Sequence, residues 1–159
     1  MRGRPARPEL RPRKTTVRAT RENLGFLLAK ASQRWNELLH KAFRRAGYGE
    51  VRPAHGSILV PLFEEDGLRM GELARRSRLS KQTMTALIRV MEQRKLILRR
   101  RDPADARASR IYLTPRTRRF KAVVEGILRE MDELVEARLT SGRKAQVAAA
   151  LKLLMNLTR

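Results

Sequence analysis

The sequence predicts a mainly α-helical fold in which a compact basic head, closed by a two- or three-stranded β wing, is set between longer flanking helices. Three observations carry this. Apolar residues recur at three- and four-residue spacing near both ends of the chain. Two short helical segments within residues 70–93 are separated by only enough polar residues for a tight turn. Two β-like runs, 97–101 and 110–113, follow at once.

The first long helix starts near Asn23. Leu24, Leu27, Leu28, Ala31, Trp35, Leu38, Leu39 and Ala42 mark one face, and Gly47 and Gly49 of "AGYG" end it. A shorter helix fits "PAHGSILVPLFEED", with Pro53 in the first turn, Pro61 as an internal kink and Gly67 as the stop. After the head, a helix from about Pro115 to Leu139 carries Phe120, Val123, Val124, Ile127, Leu128, Met131, Leu134 and Val135. Ser141 is the expected cap of a last helix with Val147, Ala150, Leu151, Leu154 and Leu157 on its stripe. These stripes exceed what a small head needs for its own core. The first and last helices are therefore expected to make a homodimer interface, with packing inside one chain as the plainer alternative. The expected organisation is a basic, disordered arm over 1–21, then one domain over 22–159. That domain divides into N-terminal helices (22–67), the head with its wing (68–114) and C-terminal helices (115–159).

Charge points to the partner. The net +21 is not spread evenly: residues 1–21 carry +7, 22–67 zero, 68–119 +12 and 120–159 +2. High arginine usage throughout the chain would not leave a neutral stretch, so the excess is an electrostatic footprint for a polyanion, nucleic acid first. With no cysteine there is no disulfide, thiolate metal site or oxidant-sensing thiol. The apolar runs are too short for a membrane span, and the N-terminus lacks the apolar core of a secretory signal, so a cytoplasmic protein is expected, with no membrane partner. An enzyme is not expected. His40 and His55 are the only histidines, there is no glycine-rich phosphate loop, and the Asp102/Asp105 pair is surrounded by arginine, which disfavours a metal cation. No cofactor is expected.

Within the head, Leu73 and Ala74 precede Leu79 across a polar turn, and the small Ala74 permits two helices to cross closely. Ser80 can cap the second of them. On that helix Met84, Leu87, Ile88 and Met91 share one face, while Gln82, Thr85, Ala86, Arg89 and Gln93 lie broadly opposite. An amide suits adenine, a guanidinium guanine and a methyl thymine. Ser80, Lys81, Gln82, Thr85 and Arg89 are therefore the candidate reading residues. A helix pair followed directly by a β hairpin is a winged helix-turn-helix. In "RRRDPADAR" the expected strand ends at Arg101, Asp102 and Pro103 shape the turn, and residues 102–109 form the tip.

The stretch "ELARRSRLSKQTMTALIRVMEQRKLILRRRDPADARASRIYLT" resembles the MarR family of bacterial transcription regulators. The specific part is the wing, Asp-x-x-Asp-x-Arg, with its spacing to the preceding helix and the closing Leu-Thr. The resemblance extends over about residues 22–158 at the level of helix order and length. It implies a homodimer of winged heads that binds double-stranded DNA at a pseudopalindromic operator, as a repressor released by a small anionic or aromatic effector. It also implies that Arg107 enters the minor groove and that Asp105 orients its guanidinium. Arg99, Arg101 and Arg110 are the further wing candidates for DNA contact, and Trp35, His55 and Phe63 the candidate effector wall. Two positions depart from the family pattern. Lys95 stands where a glycine would suit a left-handed helix end, and Thr117 replaces the glycine after Leu-Thr-x-x. The alternative from charge alone is an architectural or non-specific nucleic-acid binder.

Overall fold

The computed structural model describes residues 21–157. The expected arm over 1–21 lies outside them except for its last residue. The elements are α1 (Leu24–Arg45), a 3-10 turn (Pro53–His55) running into α2 (Gly56–Glu64), β1 (Leu68–Arg69), α3 (Met70–Ser77), α4 (Lys81–Gln93), β2 (Ile97–Asp102), β3 (Asp105–Leu113), α5 (Pro115–Glu136) and α6 (Ser141–Met155). The fold is mainly helical with a three-stranded antiparallel wing, as the sequence predicts. The chain divides into two units, Met1–Trp35 and Asn36–Arg159, so the division lies inside α1.

The core of the second unit is aliphatic with one aromatic knot. Ile58, Leu62, Leu73, Met84, Ile88 and Met91 are buried from three consecutive helices, α2 to α4. Phe43 meets Phe120 edge-on at 5.0 Å, and Tyr48 lies 4.8 Å from the same ring. Each such side chain contributes about 1.5–3 kcal/mol on burial, so this layer holds the helices that carry the head.

The sheet order is β1-β3-β2. β1 has only two residues, too few for a periodic signal, and it pairs Leu68 with Ile111 and Arg69 with Arg110. The second wing strand is longer than the sequence predicts, beginning at Asp105 rather than Arg110. The expected eight-residue tip is a two-residue turn at Pro103 and Ala104, and the residues assigned to it are mostly strand. The ladder runs from Ile97↔Leu113 to Arg101↔Ser109 and then jumps to Asp102↔Asp105. Ala106, Arg107 and Ala108 are thus an irregular bulge of β3 with no partner on β2.

Helix ends explain the two departures. Lys95 has φ +56. Its amide donates to Glu92 O and that of Leu96 to Met91 O, both at 2.9 Å, the paired bonds of a Schellman end. Leu96 and Met91 are both buried, which supplies the apolar contact of that motif. Lysine therefore occupies the left-handed position a glycine would fill. Thr117 leaves the start of α5 intact: Thr114 is the N-cap, its hydroxyl accepting the Thr117 amide at 3.3 Å, and the two hydroxyls lie 3.0 Å apart in the core. At α6 the cap position belongs to Thr140 rather than Ser141, which is the first helical residue.

α6 buries no residue in the described chain, and Leu153 is 74% exposed. On α1, Leu24 is 57% exposed, and only Leu39 and Phe43 of that helix are buried.

Candidate nucleic-acid interface

α4 is fixed from below and open above. Met84, Ile88 and Met91 are buried, while Lys81, Gln82, Thr85, Ala86 and Arg89 are exposed. Ser80 accepts the Thr83 amide at 3.1 Å and so is committed to the helix cap. Thr85 donates its hydroxyl proton to Lys81 O at 2.8 Å, leaving the oxygen as an acceptor on the open face. The turn before the helix passes through Arg78 at φ +50, a left-handed position that sharpens the corner between α3 and α4. On α3, Arg75 and Arg76 both bind Glu72 and hold its carboxyl at about 2, and Arg76 also reaches Glu65 at 2.6 Å, so both cations are engaged by acids of the chain.

The wing arginines separate by face. Arg99, Arg101, Ser109 and Ile111 share one side of the β2–β3 ladder, and Arg99 Nε donates to Ser109 Oγ at 3.1 Å. On the other side, Arg100, Arg110 and Arg69 stand abreast across the three strands. Arg100 lies over the Tyr112 ring, 5.6 Å from its centre. Arg110 donates Nε to Asp102 Oδ2 at 2.9 Å and Nη1 to Gly67 O at 2.9 Å, so it is tied into the sheet rather than directed outward. Arg69 Nε reaches the same Asp102 oxygen at 2.6 Å. The Asp102 side chain has no exposed surface. The Ala104 amide, then Arg69 and Arg110, hold its carboxyl below the ordinary range although burial opposes them.

Both aspartates of the wing do one local job. Asp102 Oδ1 accepts the Ala104 amide at 2.9 Å and Asp105 Oδ1 accepts the Arg107 amide at 3.0 Å, each two residues on. Asp105 thus holds the backbone of Arg107, not its guanidinium as the resemblance implies. Among the described residues that guanidinium has no ion-pair partner. The Arg69–Asp102 bond spans 33 positions and has no local sequence signal.

The candidate effector residues are not gathered in one place. Trp35 is the last residue of the first unit. His55 is buried, its Nδ1 accepting the Arg52 amide at 3.1 Å, and does not face the nearby cavity. Phe63 does line it, with Leu39, Phe43, Leu59, Phe120 and Leu128 around a space of about 430 Å³. The sequence places Phe120 only on a core stripe and does not single out Phe43, so neither is assigned to a cavity from it. Among the described residues no group of three acidic or histidine side chains is placed to hold a metal, and no helix is long and apolar enough to cross a membrane.

The model of the MarR family matches residues 52–109, from the 3-10 turn to the end of the bulge. The winged head is a MarR-family domain. The MarR-like architecture continues beyond the matched segment. A probable transcriptional regulator from Pseudomonas aeruginosa is 26% identical, with TM-score 0.72 over 84% of this chain and 97% of its own. The PcaV transcriptional regulator from Streptomyces coelicolor, solved with its natural ligand, shares the fold at 20% identity and TM-score 0.72, over 87% and 95% of the two chains. Staphylococcus aureus MepR, solved with DNA, shares it at 24% identity and TM-score 0.70, over 84% and 98%. No curated protein matches the chain. The family and these neighbours are transcriptional regulators, not enzymes.

Proposed function

We propose that this MarR-family regulator reads double-stranded DNA by sequence, as a homodimeric repressor in the cytoplasm acting on a pseudopalindromic operator. The observation that carries the reading is the exposed face of α4, with Lys81, Gln82, Thr85 and Arg89, in a head whose wing presents Arg107, without an ion-pair partner among the described residues. Gln82 and Arg89 offer the donor patterns that distinguish adenine and guanine in the major groove. Arg99 and Arg101 serve phosphates, and Arg107 the minor groove. Arg110 supports the wing from within. The exposed leucines of α6 supply the dimer contact, which sets two heads about 34–36 Å apart.

Selection from a random duplex pool tests this directly. The expected result is one two-fold symmetric consensus with half-sites one helical turn apart. Equal binding of selected and random duplexes at every salt concentration overturns it. The confinement of excess charge to residues 1–21 and 68–119 favours one competitor, a charge-driven architectural binder. Deleting residues 1–18 separates the two: a regulator keeps its preference and loses some affinity, whereas a charge-driven binder loses most binding.

The cavity beside Phe63 supports an effector of aromatic character. Its wall is almost wholly apolar, with Arg52 and Lys121 balanced by Glu64 and Glu125.

A further inference from the structure

We propose that Asp102 is the positioning residue of the wing: without touching nucleic acid, it fixes the path by which the hairpin leaves the sheet and so sets where Arg107 is presented. The proposal rests on the DNA-reading function above and adds the device that aims it.

Three arginines abreast on one sheet face repel one another, because like charges on paired positions destabilise a sheet. Arg100 is accommodated by the Tyr112 ring, but among the described residues Arg69 and Arg110 have no aromatic partner. Their relief is a single oxygen, Asp102 Oδ2, at 2.6 and 2.9 Å. The carboxylate has no exposed surface, so it cannot serve as a contact for solvent cations or for a ligand. Its second oxygen takes the Ala104 amide inside the two-residue turn. One side chain therefore joins β1, β3 and the turn.

The ladder breaks at this residue. Arg101↔Ser109 is the last regular pair and Asp102↔Asp105 the next, with Arg107 in the bulge between them. Arg107 is held between two fixed points, and Asp102 defines the outer one. The Gly67 carbonyl extends the anchorage, since it accepts the other arm of Arg110 at 2.9 Å. With its charge retained, the carboxylate keeps both guanidiniums in place; without it they separate, and the turn loses its bearing on β1.

Asp102→Asn keeps the size and an acceptor for the Ala104 amide but removes the shared charge. Two measurements on the full chain decide the matter. The preference for a selected duplex over a random one is expected to fall at least about tenfold, while random-duplex affinity holds or rises with the added positive charge. Without DNA, hydrogen exchange of the Arg107 amide, which Asp102 does not touch, is expected to quicken at least about tenfold. Adding Asp102→Asn to Arg107→Ala should cost no preference beyond that of Arg107→Ala alone, because both act through one contact. Unchanged preference and exchange, or additive losses, overturn the proposal. Should Asp102→Asn fail to fold, Arg69→Gln, which leaves Arg110 paired, decides by a smaller loss in the same direction or by none. A wild-type protein with no preference for any duplex would sink the DNA-reading function instead, and the exchange measurement would still decide the role of Asp102.

Discussion

Asp105 Oδ1 accepts the backbone amide of Arg107 at 3.0 Å, and among the described residues that residue's guanidinium has no ion-pair partner. The arginine is thus fixed at its root and open at its tip. Arg107→Ala is expected to lower the preference for a selected duplex about 10- to 100-fold and to reduce the salt slope of binding by about one. Titrations across a salt series measure both. A uniform loss across sequences would make Arg107 a phosphate contact only.

Lys95 and Gly67 make a matched pair for stability. Lys95 holds a left-handed conformation that an L side chain resists, so Lys95→Gly is expected to stabilise the protein by about 0.5–1 kcal/mol. Gly67 has φ +83, and a Cβ there would lie 2.5 Å from Tyr112 Cε1, so Gly67→Ala is expected to cost about 2–4 kcal/mol. Urea unfolding of both variants checks the two signs together. A destabilised Lys95→Gly would mean that the lysine side chain makes contributions beyond its backbone.

How much of this was legible in the sequence varied with distance along the chain. The helices of the head were legible because Met84, Ile88 and Met91 repeat within a few residues, and the cap at Ser80 lies beside the helix it starts. The wing's start and end were legible, but its middle was not. "DPADAR" has turn composition, yet its two aspartates bond within the hairpin and allow strand pairing to continue almost to the tip. Arg69, Asp102 and Arg110 come from three strands, and nothing local in the sequence announces that one carboxylate serves two of the arginines. The cavity was hidden for a related reason. The resemblance names Phe63 as a wall residue, but Phe43 and Phe120 come from two other helices, and nothing local distinguishes them from ordinary core.

His55 makes stability depend on pH. Burial, then the charges of Arg94 and Arg52, push its pKa down to about 4 from 6.5. The unfolded chain takes up a proton between these values and the folded chain does not. Its contribution is therefore complete above pH 6.5, declines as pH falls, and is gone below about 4. It amounts to about 3 kcal/mol in full. Protonation also removes the Nδ1 acceptor used by the Arg52 amide. Unfolding curves from pH 7 to 4 should show this decline, and His55→Gln should flatten the part that exceeds ordinary carboxylate titration. An unchanged slope in that variant would rule His55 out as the source.

The exposed apolar side chains of α6 give a separate test. Leu153→Glu is expected to shift sedimentation from dimer to monomer at micromolar concentration and to weaken operator binding in parallel, with helix content nearly unchanged. A variant that remained dimeric would place the interface elsewhere.

The bulge of β3 has a consequence for how such a head can change. Ala106, Arg107 and Ala108 take no part in the ladder, and the residues on either side are held by bonds of their own. Substitutions in this triplet meet no paired residue on β2. The scaffold and the tip are in effect separate parts: descendants of this chain could exchange one arginine for another reach, shape or charge and inherit an otherwise unaltered domain.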